Sequence, residues 1–359
     1  MTYRIHASDR AAFKRCRREW DLSSSNRQSL EPTPRPGSID LNQALRDALA
    51  VYYFPGMWEW DRAIVQPLVH RALERSVRGQ SEAVSDEQAQ QGALTRGRAL
   101  LDAYAAWAPA VDDFTPVRVE TDFEVNIPDP AVPGASLMTP VGDEIRYSDR
   151  VDLLAIDSDD AYWLIQHRLV TDGWADHDAL QLDEQTIAWC WAWPLFYLGM
   201  RITGTVYNEI RADAGEPAAG EPAGPRAVVQ QQARHRRMYA RGATVSGERL
   251  HAEGTGTFRR TRIRRGDAEL AAAGAGLAAE VSTATNTDLD IYPSPEPSNC
   301  ARCSYRSPCL ALNQSDDATA ELASSYRHRP PESVQEGRLG GVTWSMNRGA
   351  APPKWSRSP

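Results

Sequence analysis

Three cysteines, Cys300, Cys303 and Cys309, stand in the run NCARCSYRSPC at a C-x2-C-x5-C spacing. A free cysteine is often buried as a small apolar group, but this run is polar and proline-rich and does not read as core. Clustered thiolates suit a soft metal. Three of them leave a coordination position to be filled from elsewhere. Structural zinc sites usually set one C-x2-C beside a second pair or a histidine; here neither lies close by, so zinc is the weaker of two metal readings. Two further cysteines are available. Cys190 sits in WCWAW and reads as core. Cys16 sits in KRCRR, where positive charge favours thiolate. Four thiolates can carry a [4Fe–4S] cluster, and a set made of Cys16 with the C-terminal trio predicts a clamp between the two ends of the fold.

The elements that must position these groups follow from periodicity. Residues 8–21 predict a helix, capped by Ser8 or Asp9 and carrying Phe13, Cys16 and Trp20 near one face. Three further helices are predicted at about 39–54, 60–78 and 85–108, between Gly, Pro and polar breaks. FTPVRVETDFEVNIPD, EIRYSDRVDLLAID and AYWLIQHRLV alternate as strands, the last two joined by a short turn. ALQLDEQTIAWCWAWPLFYLG predicts one long amphipathic helix. MRITGTVYNEI and TGTFRRTRIRRG predict strands, and DAELAAAGAGLAAEVSTA a helix. The order implies a mixed α/β core sheet with helices on both sides. One domain over 1–325 is expected, with a helical N-terminal region (1–110), a core (111–211), a linker (212–226) and a C-terminal region (227–325). Residues 326–359 read as a disordered tail.

Composition narrows the classes. The chain has 359 residues, enough to bury a core. A formal net charge of -8 argues against a uniformly basic nucleic-acid binder but leaves room for local patches. The most apolar run, WCWAWPLFYLGM, is 12 residues long and predicts no membrane span. MTYRIHASDRAAFKRC has no apolar signal core, so a cytoplasmic, reducing location is expected, in keeping with cysteines used for metal rather than disulfides. Basic runs stand at 14–18, 234–237 and 259–265. In the first and last, Lys14, Arg15, Arg17, Arg18, Arg259, Arg260 and Arg262 are candidate phosphate contacts. The aromatic stretch YYFPGMWEW is a candidate base-stacking surface, although the same residues read more simply as core.

HASDRAAFKRCRREW, YSDRVDLLAIDSDDAYWLIQHRLV, LDEQTIAWCWAW and the cysteine run together resemble the iron–sulfur branch of the RecB-family nucleases, which includes CRISPR-associated exonucleases. The likeness spans roughly 8–310, and the split cysteine pattern is its most specific piece. It implies a PD-(D/E)xK, restriction-endonuclease-like α/β core, a [4Fe–4S] cluster on Cys16, Cys300, Cys303 and Cys309, and DNA as partner, as single strands or ends. Family chemistry is phosphodiester hydrolysis by Mg2+ or Mn2+ held on two carboxylates beside a lysine.

Carried over residue by residue, the first acid is Asp152, which would hold any divalent ion. The D/E-x-K site falls on Gln166-His167-Arg168. An upstream family histidine falls on Arg46, and the Q-x-x-x-Y helix on Gln185 with Trp189. One anionic ligand therefore remains, which implies a degenerate site that holds phosphate without cutting it. Glu144, Asp149 and Glu184 are expected as the acids that would rescue an active Mg2+ or Mn2+ exonuclease if one of them had migrated in. A third reading is a scaffold whose basic runs face solvent. Strand alternation sends His167 to the face opposite Gln166 and Arg168.

Overall fold

The computed structural model describes residues 2–33, 38–81, 87–171, 173–212, 253–314, 317–329, 338–339 and 342–343. The chain divides into one unit, Met1–Arg329, and a second, Pro330–Pro359. In the second unit Arg338–Leu339 pairs antiparallel with Val342–Thr343. The basic run at 234–237, and the expected linker apart from Ala212, lie outside the described residues.

The first unit is a mixed α/β sheet flanked by helices. Its long strands are β3 (Phe114–Asn126), β4 (Glu144–Asp157), β5 (Tyr162–Val170), β6 (Ile202–Arg211) and β8 (Phe258–Arg264). Short strands β1 (Thr2–Ile5) and β7 (Glu253–Gly254) sit at its edges, giving the order β1-β4-β5-β6-β8-β7 with β3 also on β4. β1 on β4 and β5 on β6 are parallel pairs; the other pairs are antiparallel.

One face is covered by α3 (Leu41–Tyr52), α4 (Arg62–Ser81) and α5 (Glu87–Trp107), close to the expected spans. Asp40 caps α3 by accepting from the Gln43 amide. Leu45, Leu49 and Tyr52 of α3 join Leu73, Tyr104, Leu153 and Ile165 in one core. Each fully buried leucine there is worth roughly 1.5–3 kcal/mol. The other face is covered by α7 (Glu184–Phe196) and α8 (Asp267–Ala284), where Trp189, Trp193, Leu277 and Val281 pack on Phe123, Tyr147, Leu154 and Leu164.

Two predicted helices are broken. The one expected over 8–21 divides at Cys16, whose backbone is extended (φ -162°, ψ 116°), into α1 (Ala7–Arg15) and α2 (Arg17–Ser23). The long helix expected from Ala179 divides at Leu182 and Asp183 into α6 (His177–Gln181) and α7, because Asp183 caps α7 through Gln185 N and Thr186 N. Nor is α7 amphipathic: Thr186, Trp189, Cys190 and Trp193 are buried on several sides, as suits a helix wrapped by sheet and neighbours.

The C-terminal region adds α9 (Pro297–Arg302), α10 (Arg306–Asn313) and α11 (Thr319–Ser325). The first residues of the expected tail, 326–328, are strand rather than disordered. Tyr326–His328 forms β9 and pairs antiparallel with β2 (Leu30–Pro32), with Tyr326 stacked on Tyr305 at 5.4 Å and Arg327 bonded to Glu31.

Candidate functional site

β4 carries β3 along one edge. Its other edge is shared: β1 takes Glu144–Tyr147 and β5 takes Leu153–Ile156. Among the described residues, Ser148–Asp152 has no strand partner on that shared edge. The β4–β5 ladder ends at Leu153 opposite Ile165, although both strands continue. Into this fork open Asp152 and Gln166. The cleft is about 520 Å³ and is lined by Arg46, Asp149, Asp152, Gln166, Arg168 and Gln185, among others. All five residues expected at the degenerate nuclease positions thus share one cleft.

Asp152 is the most buried charge lining the cleft, its side chain 1% exposed. Oδ1 takes a hydrogen bond from Arg46 Nη2 at 2.6 Å and Oδ2 one from the His167 amide at 2.8 Å. Burial pushes its carboxyl pKa up, and the Arg46 charge and the His167 N–H oppose that rise. Arg46 is where α3 meets the fork: the residue expected in place of a metal-binding histidine is the counter-ion of the one expected metal ligand.

Gln166 donates to Gln185 Oε1 at 3.3 Å, and Gln185 donates to Asp149 Oδ2 at 3.4 Å. Asp149 Oδ2 also takes Tyr147 OH at 2.9 Å and Trp189 Nε1 at 2.8 Å. Arg168 donates through Nη2 to Asp183 at 2.7 Å, lies over the Tyr207 ring at 5.2 Å, and keeps its side chain 32% exposed. His167 turns to the opposite face, stacked on Tyr53 with centroids 5.6 Å apart and bonded through Nδ1 to Asn208. Burial first, then Arg260 and Arg46, lower its pKa to about 3 and keep it neutral.

Of the acids expected as migrated ligands, only Asp149 lines the cleft. Glu144 is bonded to Arg146 and Asn126, and Glu184 to Lys14. An acid missed in the sequence is Glu120 on β3. It stands opposite Asp152, between the pairs Val119–Leu153 and Thr121–Val151, with a left-handed backbone (φ 42°) rare for a side-chain-bearing residue. Burial, with the Asp152 charge added, raises its pKa to about 7 against the pull of Arg46 and Arg150. Its one sequence signal is the row Glu120, Asp122, Glu124 at alternate positions, which reads as a solvated face; Arg150 reaches back to the first two.

The cysteines are placed by the breaks and short helices. Cys16 lies at the α1–α2 junction, where Ser294 N donates to its Sγ at 3.4 Å. Cys300 lies in α9, Cys303 caps its C-terminus, and Cys309 lies in α10. All four are half-buried and free. Burial raises the pKa of Cys303 and Cys309, and the charges of Cys16 and Cys309 act on Cys303 as those of Cys16 and Cys300 act on Cys309. Among the described residues, no three or more His, Cys, Asp or Glu side chains are closed into a group that could hold a metal ion. Cys190 is core, as read, bonded to Thr205 with its thiol pKa pushed up to about 11 by burial.

In the two basic runs among the described residues, most cations pair within the protein, and Arg260 is too buried to reach a phosphate. Arg260 is buried and bonded to Asp112, Tyr53 and Tyr104. Arg259 pairs with buried Glu209, and Arg262 with Asp113. In the first run Lys14 bridges Glu184 and Glu280, and Arg15 pairs with Glu19. Arg17 lies over Tyr292 and donates to the Asp290 carbonyl, and Arg18 stands close enough to Cys309 to act on it electrostatically. Of the aromatic stretch, Tyr52 and Tyr53 are core while Trp60 is exposed. No helix among the described residues is long and apolar enough to cross a membrane. Comparison of the chain with protein-family models and with curated proteins gives no match.

Proposed function

We propose that this chain is a DNA-binding protein built on a PD-(D/E)xK-type core that does not hydrolyse its ligand. The observation that carries the reading is the Arg46 guanidinium seated on Asp152 Oδ1 at the fork of β4 and β5. A divalent ion at Asp152 would have to displace that cation and find a second anion where Gln166 offers a neutral oxygen. At an effective dielectric near 20, a unit charge about 4 Å away is worth roughly 4 kcal/mol. Trading a carboxylate for an amide and adding a guanidinium therefore removes several kcal/mol of metal affinity. Arg168 keeps most of its donors for a phosphate, with one nitrogen on Asp183.

The same reading assigns Cys16, Cys300, Cys303 and Cys309 to a [4Fe–4S] cluster. What supports it is the chemistry of the donors, four free, half-buried thiols with Cys16 acting electrostatically on both Cys303 and Cys309; among the described residues they are not closed into a metal-holding group. When bound, the cluster supplies a cross-link that ties α1 and α2 to α9 and α10.

Two alternatives stay in view. An exonuclease with Mg2+ or Mn2+ would use Asp152 with Asp149, but Asp149 Oδ2 already takes three donors. A scaffold without DNA is favoured by the internal pairing of Lys14, Arg15, Arg259, Arg260 and Arg262. Labelled single-stranded DNA, incubated with the protein at low salt with and without Mg2+ or Mn2+, separates all three. The proposal expects a salt-sensitive shift and no product. Metal-dependent cleavage lost in Asp152→Ala establishes the enzyme, and no shift at low salt leaves the scaffold.

A further inference from the structure

The amide relay in the cleft has a fixed polarity. Asp149 Oδ2 receives Tyr147 OH, Trp189 Nε1 and Gln185 Nε2, and a carboxylate oxygen only accepts. The Gln185 amide is therefore set with nitrogen toward Asp149 and oxygen toward Gln166. Gln166 must then donate to Gln185, which leaves its own carbonyl oxygen turned away from the relay. That oxygen is buried and has no hydrogen-bond partner, and Gln166 as a whole is only 8% exposed. Buried acceptors are nearly always satisfied, so an orphaned one on a cleft wall points to a donor supplied by a ligand.

Neither neighbouring guanidinium bonds that oxygen: Arg46 is seated on Asp152, and Arg168 sets one nitrogen on Asp183. A metal cation is disfavoured by the Arg46 charge already on Asp152. A planar ligand with an N–H suits the site better. Arg168 backs onto the Tyr207 ring on one side and is partly exposed, so its guanidinium plane can stack a base. The space, about 520 Å³, is in the range of small-ligand clefts. Resting on the DNA-binding reading above, we infer that the cleft takes one unpaired nucleobase, stacked on Arg168 and read through an N–H donated to Gln166 Oε1. Bases within a duplex hide both their faces and their pairing edges, so the base is the unpaired one at a strand terminus.

The test uses a short fluorescein-labelled single strand and the same strand with an abasic terminal nucleotide, in EDTA at low salt, read by anisotropy. The intact strand should bind the wild-type protein about tenfold more tightly, the scale of one stacked base. Gln166→Leu removes the acceptor, and Arg168→Lys keeps the charge but lacks the planar face; each should bring the ratio near one. Gln166→Glu keeps an acceptor and should preserve the ratio while weakening both strands alike. Equal affinity of the wild type for the two strands overturns the inference and leaves DNA binding standing. A ratio that survives in both Gln166→Leu and Arg168→Lys also overturns it. A ratio seen only with Mn2+ assigns the acceptor to a cation instead. Failure to bind either strand overturns the DNA-binding reading itself.

Discussion

Replacing Arg46 by methionine tests the central pair directly. The change keeps most of the stem but leaves the Asp152 carboxylate, with its side chain 1% exposed, held only by the His167 amide. Breaking one side of a buried ion pair costs about 3–5 kcal/mol. Arg46 is itself 25% exposed, so water can enter where it stood, and about 3 kcal/mol is expected. Asp152→Asn should cost less, about 1–2 kcal/mol, because the stranded guanidinium reaches solvent. The double variant should recover about 2 kcal/mol of the summed losses. Urea unfolding across pH supplies the decisive slope. Burial already raises the folded pKa of Asp152, and losing Arg46 raises it further. An acid whose folded pKa lies above its unfolded value destabilises the fold as pH rises through that window. The Arg46→Met deficit should therefore be greatest at alkaline pH and shrink as pH falls. A coupling below about 0.5 kcal/mol, or a deficit flat with pH, refutes the claim that Arg46 compensates Asp152.

Glu120 titrates in the folded state at about 7, above its ordinary value, so wild-type stability should fall as pH rises from near 4.5 through 7. Glu120→Gln should flatten that fall and exceed the wild type above pH 7, by up to about 3 kcal/mol, in chemical denaturation; a variant no more stable than the wild type at pH 8 contradicts it. Arg260→Met strands buried Asp112 and two tyrosine hydroxyls and should cost about 3–5 kcal/mol, whereas a loss under 1 kcal/mol would return Arg260 to the surface. Anaerobically purified protein should carry iron with a thiolate-to-iron charge-transfer band, lost in Cys16→Ser; stoichiometric zinc, or iron that survives that change, rejects the cluster assignment. Gln166→Glu, Arg168→Lys and Arg46→His in one chain should create metal-dependent cleavage of labelled DNA, and an inert triple variant counts against the residue-by-residue likeness.

What was legible in the sequence is what local pattern controls. Alternation placed β3, β4, β5, β6 and β8, and helical spacing placed α3, α4, α5 and α8. The five cleft residues expected from family likeness share one cleft. The break at Cys16 escaped because a contact distant in sequence meets it, Ser294 on the Cys16 sulfur, and the break at Asp183 escaped because its local N-cap lies inside a run read as one continuous helix. The basic run at 259–265 was visible as charge but not as ion pairs, because Asp112 and Glu209 lie at least 50 residues away along the chain. Glu120 was hidden for a related reason. Its neighbours Arg46, Arg150 and Asp152 come from two other elements, and the left-handed backbone that turns it toward them has no signature in a non-glycine residue.

The pairing of β2 with β9 bears on how the protein is made. Leu22 and Leu30 leave the ribosome long before the side chains that cover them, with Tyr305 following Leu30 by 275 residues. At roughly 5–20 residues per second, the first segment waits on the order of tens of seconds for its partner. During that interval chaperones have apolar groups to hold. A product truncated before Tyr305 lacks the buried ring of this cluster and keeps Leu22 and Leu30 open to chaperones and proteases.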